Sequence, residues 1–428
     1  MFRTRLKIGA RGGARLATTL ATLFGAIACG ELLPAAPRED TVLDGTVSAL
    51  TGPQLRVHAE GDAQFSRNFG AVDGLGPVFV ASACASCHAG EGKGHPVFDI
   101  TRFGRSTPAG FDPMRAAGGP QLQNRAVLDY IAETIPTGIT GLARFTAPIV
   151  TGLGFLDAVD DTTLLRLSDP ADINGDGISG RVQLLAADDL LARVASLDAI
   201  AREGPPTRGT LVDGRYIGRF GKKGVTINLL HQVVTAYHED MGITSELIPD
   251  DVFNPRVGEF TGDRTPEPEV SSSVVSAVTF YLKTLKAPPR RNARNADVLA
   301  GEQLFVSAGC AGCHTPTLRT GASTIPALDH VEFNPYTDLL LHDMGPALDD
   351  GYTEGRAMTA EWRTAPLWGL GLAAAFQGGT PHLLHDGRAK SIRDAIQLHG
   401  GEALASRSFF ERLTSDKVRQ LLAFLESL

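Results

Sequence analysis

Two five-residue strings, Cys84-Ala85-Ser86-Cys87-His88 and Cys310-Ala311-Gly312-Cys313-His314, constrain this chain more than any other feature. Each sets two thiols three positions apart, on one helical turn, with a histidine directly after them. Thiols so spaced can each form a thioether to a haem vinyl group, and the histidine then lies under the iron as its proximal ligand. A structural zinc site or a redox Cys-x-x-Cys competes for a single such string, but zinc wants four converging ligands and each string offers three. Two strings, both ended by histidine, read as two covalently bound haem c groups held by Cys84, Cys87, His88, Cys310, Cys313 and His314.

The chain start fits that chemistry. Arg3, Arg5, Lys7, Arg11 and Arg15 precede an apolar run from Leu16 to Ala28 that ends in small residues, the layout of a secretory signal peptide over residues 1–29. Haem is attached to such strings outside the cytoplasm, so a periplasmic location is expected. Cys29 follows Ala26-Ile27-Ala28 and resembles a lipoprotein processing site, with Ala26 where leucine is usual; a lipid anchor at Cys29 is the alternative to a plain cleaved signal. No cysteine pair is left for a disulfide. The net charge of −8 becomes more negative once the five basic residues are removed, which argues against nucleic acid as a partner.

Both strings sit in similar surroundings. Phe79-Val80-Ala81-Ser82-Ala83 precedes Cys84 and Phe305-Val306-Ser307-Ala308-Gly309 precedes Cys310; Thr146 to Gly154 echoes Thr364 to Gly371. In register, these matches suggest a duplicated haem domain. Lys286-Ala287-Pro288-Pro289-Arg290-Arg291 follows a helix-like segment from Val274 to Leu285 and marks the boundary. Val418, Leu421, Leu422 and Leu425 fall at helical spacing after a cap at Ser415-Asp416. The expected fold is mainly α: two cytochrome c-like haem domains with long loops, residues 30–288 and 289–428, the first enlarged by insertions.

The chain resembles the bacterial di-haem oxidoreductases once called thiol oxidoreductases, relatives of the di-haem cytochrome c peroxidases. The resemblance rests on Asp172 to Arg181, Gly218-Arg219-Phe220-Gly221, Asp240-Met241-Gly242-Ile243-Thr244, Pro335 to Gly345, Trp362 to Gly369, His385-Asp386-Gly387-Arg388 and His399-Gly400-Gly401-Glu402-Ala403. It implies an oxidoreductase that reduces hydrogen peroxide with electrons passed between two haems and supplied by a small redox protein of cytochrome or cupredoxin type. The alternatives are a di-haem electron carrier without peroxidase activity, and a high-valent enzyme that oxidises a partner protein.

The sixth iron ligands decide among these, because a haem with both axial positions filled carries electrons and one with an open position binds peroxide. His399 is the candidate for the second haem, in the region where the related peroxidases supply a ligand, often methionine; Met344 is its competitor. For the first haem, Met241, His231, His238 and His95 are candidates, or the position is open. Gln121 and Gln123 could line the first pocket. Arg363 and Arg388 suit bidentate binding of haem propionates. Trp368 reads as core packing, with electron relay as the sharper alternative. Asp172, Asn174 and Asp176, with Gly177 between, have the alternating oxygens of a calcium loop, although Gln183 stands where a closing acidic residue belongs.

Overall fold

The computed structural model describes residues 41–203, 209, 211–257, 262 and 265–428. The signal segment and Cys29 lie outside the described residues. The chain divides into Met1–Val42 and Leu43–Leu428, and every element below belongs to the second unit. Six helices position the sites: α1 (Gly52–Ser66), α2 (Leu229–Met241), α3 (Ser272–Thr284), α4 (Ala296–Ser307), α5 (Ile392–Leu398) and α6 (Ser415–Ser427). Five strands matter beside them: β1 (Ile100–Thr107), β2 (Gly110–Asp112), β3 (Gly141–Phe145), β4 (Leu341–Asp343) and β5 (Glu361–Arg363).

Local chemistry starts the helices where the sequence places polar caps. Thr51 and Gln54 form a capping box at α1, Ser271 accepts from Val274 N at α3, and Asn295 accepts from Asp297 N at α4. At α6 the capping side chain is Thr414, which accepts from Lys417 N, one residue before the expected Ser415-Asp416. Each cap satisfies a backbone donor that the first helical turn leaves orphaned.

Two crossed helix pairs repeat one contact. In α1, a Cβ on Gly61 would overlap the Ala277 carbonyl oxygen and lie 2.6 Å from Tyr281 Cβ of α3. In α4, a Cβ on Gly301 would overlap the Gln420 carbonyl oxygen and lie 2.7 Å from Phe424 Cβ of α6. The missing side chain lets the two backbones touch. Four residues after each glycine, on the same helix face, come Phe65 and Phe305. Phe65 lies 6.1 Å from the His88 ring and Phe305 lies 6.4 Å from the His314 ring. The pairs also match further on: Gly152 and Gly369 both take positive φ, at 72° and 73°, and Gly154 and Gly371 pack against the Lys283 and Glu426 carbonyls. The counterpart of Phe305 is therefore Phe65, not Phe79. The first half carries extra chain between its helix and Cys84, which displaces the sequence match.

The mainly α expectation is overturned. The described residues are 38% helical and 14% strand, with 12 helices and several small sheets, an α/β mixture. β1 pairs antiparallel with β2 and with β3, from Ile100 opposite Phe145 to Gly104 opposite Gly141, and β4 pairs antiparallel with β5. The segments expected as long loops supply these strands. β2 follows β1 as a tight hairpin, but the partners β3 and β5 lie tens of residues from β1 and β4, so no local alternation reveals those pairings. Among the described residues no helix is long and apolar enough to cross a membrane.

The main core gathers Phe65, Tyr237, Tyr281 and Trp368 from both halves. A second packs Phe305, Phe410 and Phe424 between α4 and α6. Removing a buried aromatic of this kind costs about 3–5 kcal/mol.

Candidate haem sites

The first string forms a helical turn, Cys84–Cys87, and the second a 3-10 turn, Cys310–Gly312. In both, the histidine amide donates back to the first cysteine carbonyl, at 3.1 Å for His88 and 2.9 Å for His314. His88 Nδ1 donates to the Pro148 carbonyl oxygen at 2.9 Å, and His314 Nδ1 to the Tyr336 carbonyl oxygen at 2.9 Å. A carbonyl only accepts, so the proton sits on Nδ1 and Nε2 keeps its lone pair. Burial pushes both imidazoles down to about 4. Each is therefore neutral near pH 7, with its other nitrogen oriented by the backbone, the preparation that an iron ligand needs.

The thiols point the same way. Burial pushes Cys84 and Cys87 up to about 12 and Cys310 up to about 11, with the nearby Asp240 carboxylate adding to the first two. Thiols so disposed are protonated near pH 7.

Beside the second string lies a large, mainly apolar cavity lined by His314, Cys310 and Cys313 together with His399, Met344 and Arg363. Ser391 caps α5 through Asp394 N at 3.0 Å, and His399 is the residue that ends it. His399 Nδ1 donates to the Ala395 carbonyl oxygen at 2.7 Å, which frees Nε2 as in the two proximal histidines. Met344 shares the cavity and also packs on the cluster of Phe145, Leu348 and Trp362.

Two further histidines border this space. His342, on β4, lies between carboxylates: Nε2 is 2.8 Å from Asp338 Oδ2 and Nδ1 is 2.7 Å from Glu402 Oε2, with Cys313 Sγ at 3.6 Å. Those carboxylates outweigh the penalty of burial and push His342 up to about 12. His385 stacks on Trp362 with ring centres 3.7 Å apart and 8° between planes, and its Nε2 meets Asp350 at 2.8 Å.

The cysteines, the paired histidines and the apolar wall fit a haem c at the second site. At the first site the same proximal geometry holds, but the expected partners are engaged elsewhere. Met241 lies in the main core, 2% exposed. His231 Nδ1 accepts from Ile227 N, and His238 uses both nitrogens, on Glu239 and the Asp250 carbonyl. His95 accepts from Val97 N and packs against His382. Gln121 and Gln123 each donate to the Glu239 carbonyl at 2.7 Å; they brace the end of α2 beneath Cys84.

Arg363 lines the cavity. Arg388 does not lie among the residues lining it; Asp386 and Asp350 take its guanidinium at 2.6 and 2.7 Å. Its fork is already filled, which leaves a propionate nothing to bind. Asp172, Asn174 and Asp176 accept from Gly177, Asp176 and Ile178 amides of their own loop, whose Ile178 packs over Gly312. Trp368 is a buried member of the main core with its Nε1 unpartnered among the described residues.

Sequence reasoning missed Lys93, Lys222 and His342 at the cavity. His342 and Lys222 lie within or next to strings already singled out, Pro335 to Gly345 and Gly218 to Gly221. His342 closes the apolar run Leu339-Leu340-Leu341, which signalled it, whereas Lys93 and Lys222 lie beside glycines with no such signal.

The family model described as "Di-haem oxidoreductase, putative peroxidase" matches residues 137–428. That span contains the second Cys-x-x-Cys-His string and not the first. No curated protein sequence matches. Among solved structures, hydrazine synthase of Kuenenia stuttgartiensis aligns at 14% identity over 100% of both chains with a TM-score of 0.37.

Proposed function

Because the chain belongs to the di-haem oxidoreductase family, we propose that it is a periplasmic enzyme that reduces hydrogen peroxide with electrons from a small redox protein. The overall change consumes one peroxide, two electrons and two protons and yields two waters. A haem c at each string would be held by that string's two cysteines and histidine and would supply iron redox chemistry. In this reading residues 30–288 and 289–428 are two haem units meeting near Lys286–Arg291.

The observation that carries the reading is an asymmetry between the sites. At the second, His314 and His399 line one cavity, each with Nδ1 tied to a carbonyl and Nε2 free. His314 and His399 would hold the iron of a haem there, which would supply electron-transfer chemistry. At the first, His88 is prepared in the same way, while His95 and His231 accept at Nδ1 and so carry their proton on Nε2, His238 uses both nitrogens, and Met241 packs in the core. In this reading a haem at the first string would supply the peroxide-binding chemistry. His88 is neutral, its Nδ1 proton held by the Pro148 carbonyl.

Electron paramagnetic resonance of the mature protein, oxidised and half-reduced, before and after peroxide, tests this. A high-spin signal that responds to peroxide is expected beside one low-spin signal. Two low-spin signals indifferent to peroxide would make the protein an electron carrier and end the peroxidase reading.

A further inference from the structure

Two consecutive lysines after the strand Tyr216–Gly218 meet opposite fates. Lys223 is fully buried. It donates to the carbonyls of Met358, Thr359 and Glu361 at 3.1, 3.0 and 2.6 Å and sits 3.8 Å from the Trp362 ring centre. Three carbonyls and an aromatic face are how this fold satisfies an ammonium without a carboxylate. Lys222 turns into the cavity instead. Among the described residues its ammonium has no hydrogen-bond partner and no carboxylate at salt-bridge distance.

Two other cations line the same space. Lys93 has one bond, 3.3 Å to the Leu384 carbonyl. Arg363 donates to the Gly221 and Thr364 carbonyls at 2.8 and 3.0 Å. Neither makes an ion pair among the described residues. Asp99 and Asp386 act on the lysines only from longer range, and Asp386 is paired with Arg388. Burial pulls Lys222 well below its usual range, with Lys93 and Arg363 adding to the fall; it brings Lys93 to about 8 and Arg363 to about 10. The cavity reaches the first string as well: Pro148, whose carbonyl accepts from His88 Nδ1 at 2.9 Å, lines it, and all three cations share it with His314. The cluster thus borders both strings.

Three cations facing one apolar cavity are costly unless an anion joins them. A planar guanidinium flanked by two ammonium groups matches carboxylates. The geometry points to a carboxylate site, formed by Lys93, Lys222 and Arg363 between the two Cys-x-x-Cys-His strings, that takes a propionate from each haem and so couples the two centres electrostatically. This rests on the two-haem reading above. A free small carboxylate has the same chemistry, and the test separates the two sources.

Haems per chain are first counted by absorbance in the wild type, Lys222→Met, Lys222→Arg and Lys93→Gln. A wild type without two haems would defeat the two-haem reading itself, before any potential is read. Midpoint potentials of both haems are then titrated with and without acetate. Loss of a positive charge beside both irons favours the ferric state, so Lys222→Met and Lys93→Gln are expected to lower both potentials together. Lys222→Arg is expected to keep them near the wild type, and acetate to leave all of them unmoved. A shift at one haem only, or at neither, overturns the shared site. Wild-type potentials that follow acetate concentration overturn the propionate assignment in favour of a free anion. If Lys222→Met does not fold, the Lys93→Gln comparison decides alone.

Discussion

His399 Nδ1 donates to the Ala395 carbonyl oxygen one turn earlier on the same helix, at 2.7 Å, and this bond leaves Nε2 as the nitrogen that can reach a metal. Burial also pulls His399 below its usual pKa, so it is neutral at pH 7. The ring is thus held in the tautomer and the protonation state of a ligand. His399→Gly is expected to convert the second haem from low-spin to high-spin ferric, read by electron paramagnetic resonance, while the first haem's signal stays unchanged. An unaltered spectrum would transfer the role to Met344.

Gly301 is where α4 and α6 touch. Gly301→Ala forces its Cβ against the Gln420 carbonyl and Phe424 Cβ, and overpacking of this kind costs about 1–3 kcal/mol. The expected result is a lower thermal midpoint and a disturbed second haem, since Phe305 is carried on the same helix. Gly61→Ala should do the same at the first haem. Unfolding followed by circular dichroism, with each haem's absorbance, checks both; a neutral outcome would mean the helix pairs are looser than drawn.

His342 carries a pH dependence. Its pKa is raised to about 12 by Asp338 and Glu402, against an unfolded value near 6.5. Its contribution is complete below about pH 6.5 and declines as pH rises towards 12, because the unfolded ring loses its proton first. His342→Asn leaves two carboxylates without their cation and is expected to cost about 3–5 kcal/mol at pH 6. Denaturant midpoints should show a smaller loss at pH 9; equal losses at both pH values would refute a charged His342.

Chelation checks the loop at Asp172. Its side-chain oxygens accept from Gly177, Asp176 and Ile178 amides, so the turn is closed by hydrogen bonds among its own residues. The thermal midpoint is expected to stay constant when a calcium chelator is added. A fall reversed by calcium would show that the loop binds it.

Family was legible in the residues, and so was the shared backbone turn of the two Cys-x-x-Cys-His strings, because their fixed spacing places both cysteines and the histidine on one turn. The repeat was legible only in part: its exact register depends on Gly61 and Phe65, which extra chain separates from Cys84. Strand content was not legible, since Ile100 pairs with Phe145 and Leu341 with Arg363 across intervals that no local period spans.

By itself the sequence determined the family, and it marked the two Cys-x-x-Cys-His strings and His399 as candidates, all of them features of local chemistry. Tertiary structure decided what those features face. It spent Arg388 on Asp350 and Asp386 and withdrew Met241 into the core. It also brought Lys93, Lys222 and Arg363, far apart in the chain, to one cavity. A charge's role depends on which partners burial leaves it, and burial is set by contacts that spacing along the chain does not encode.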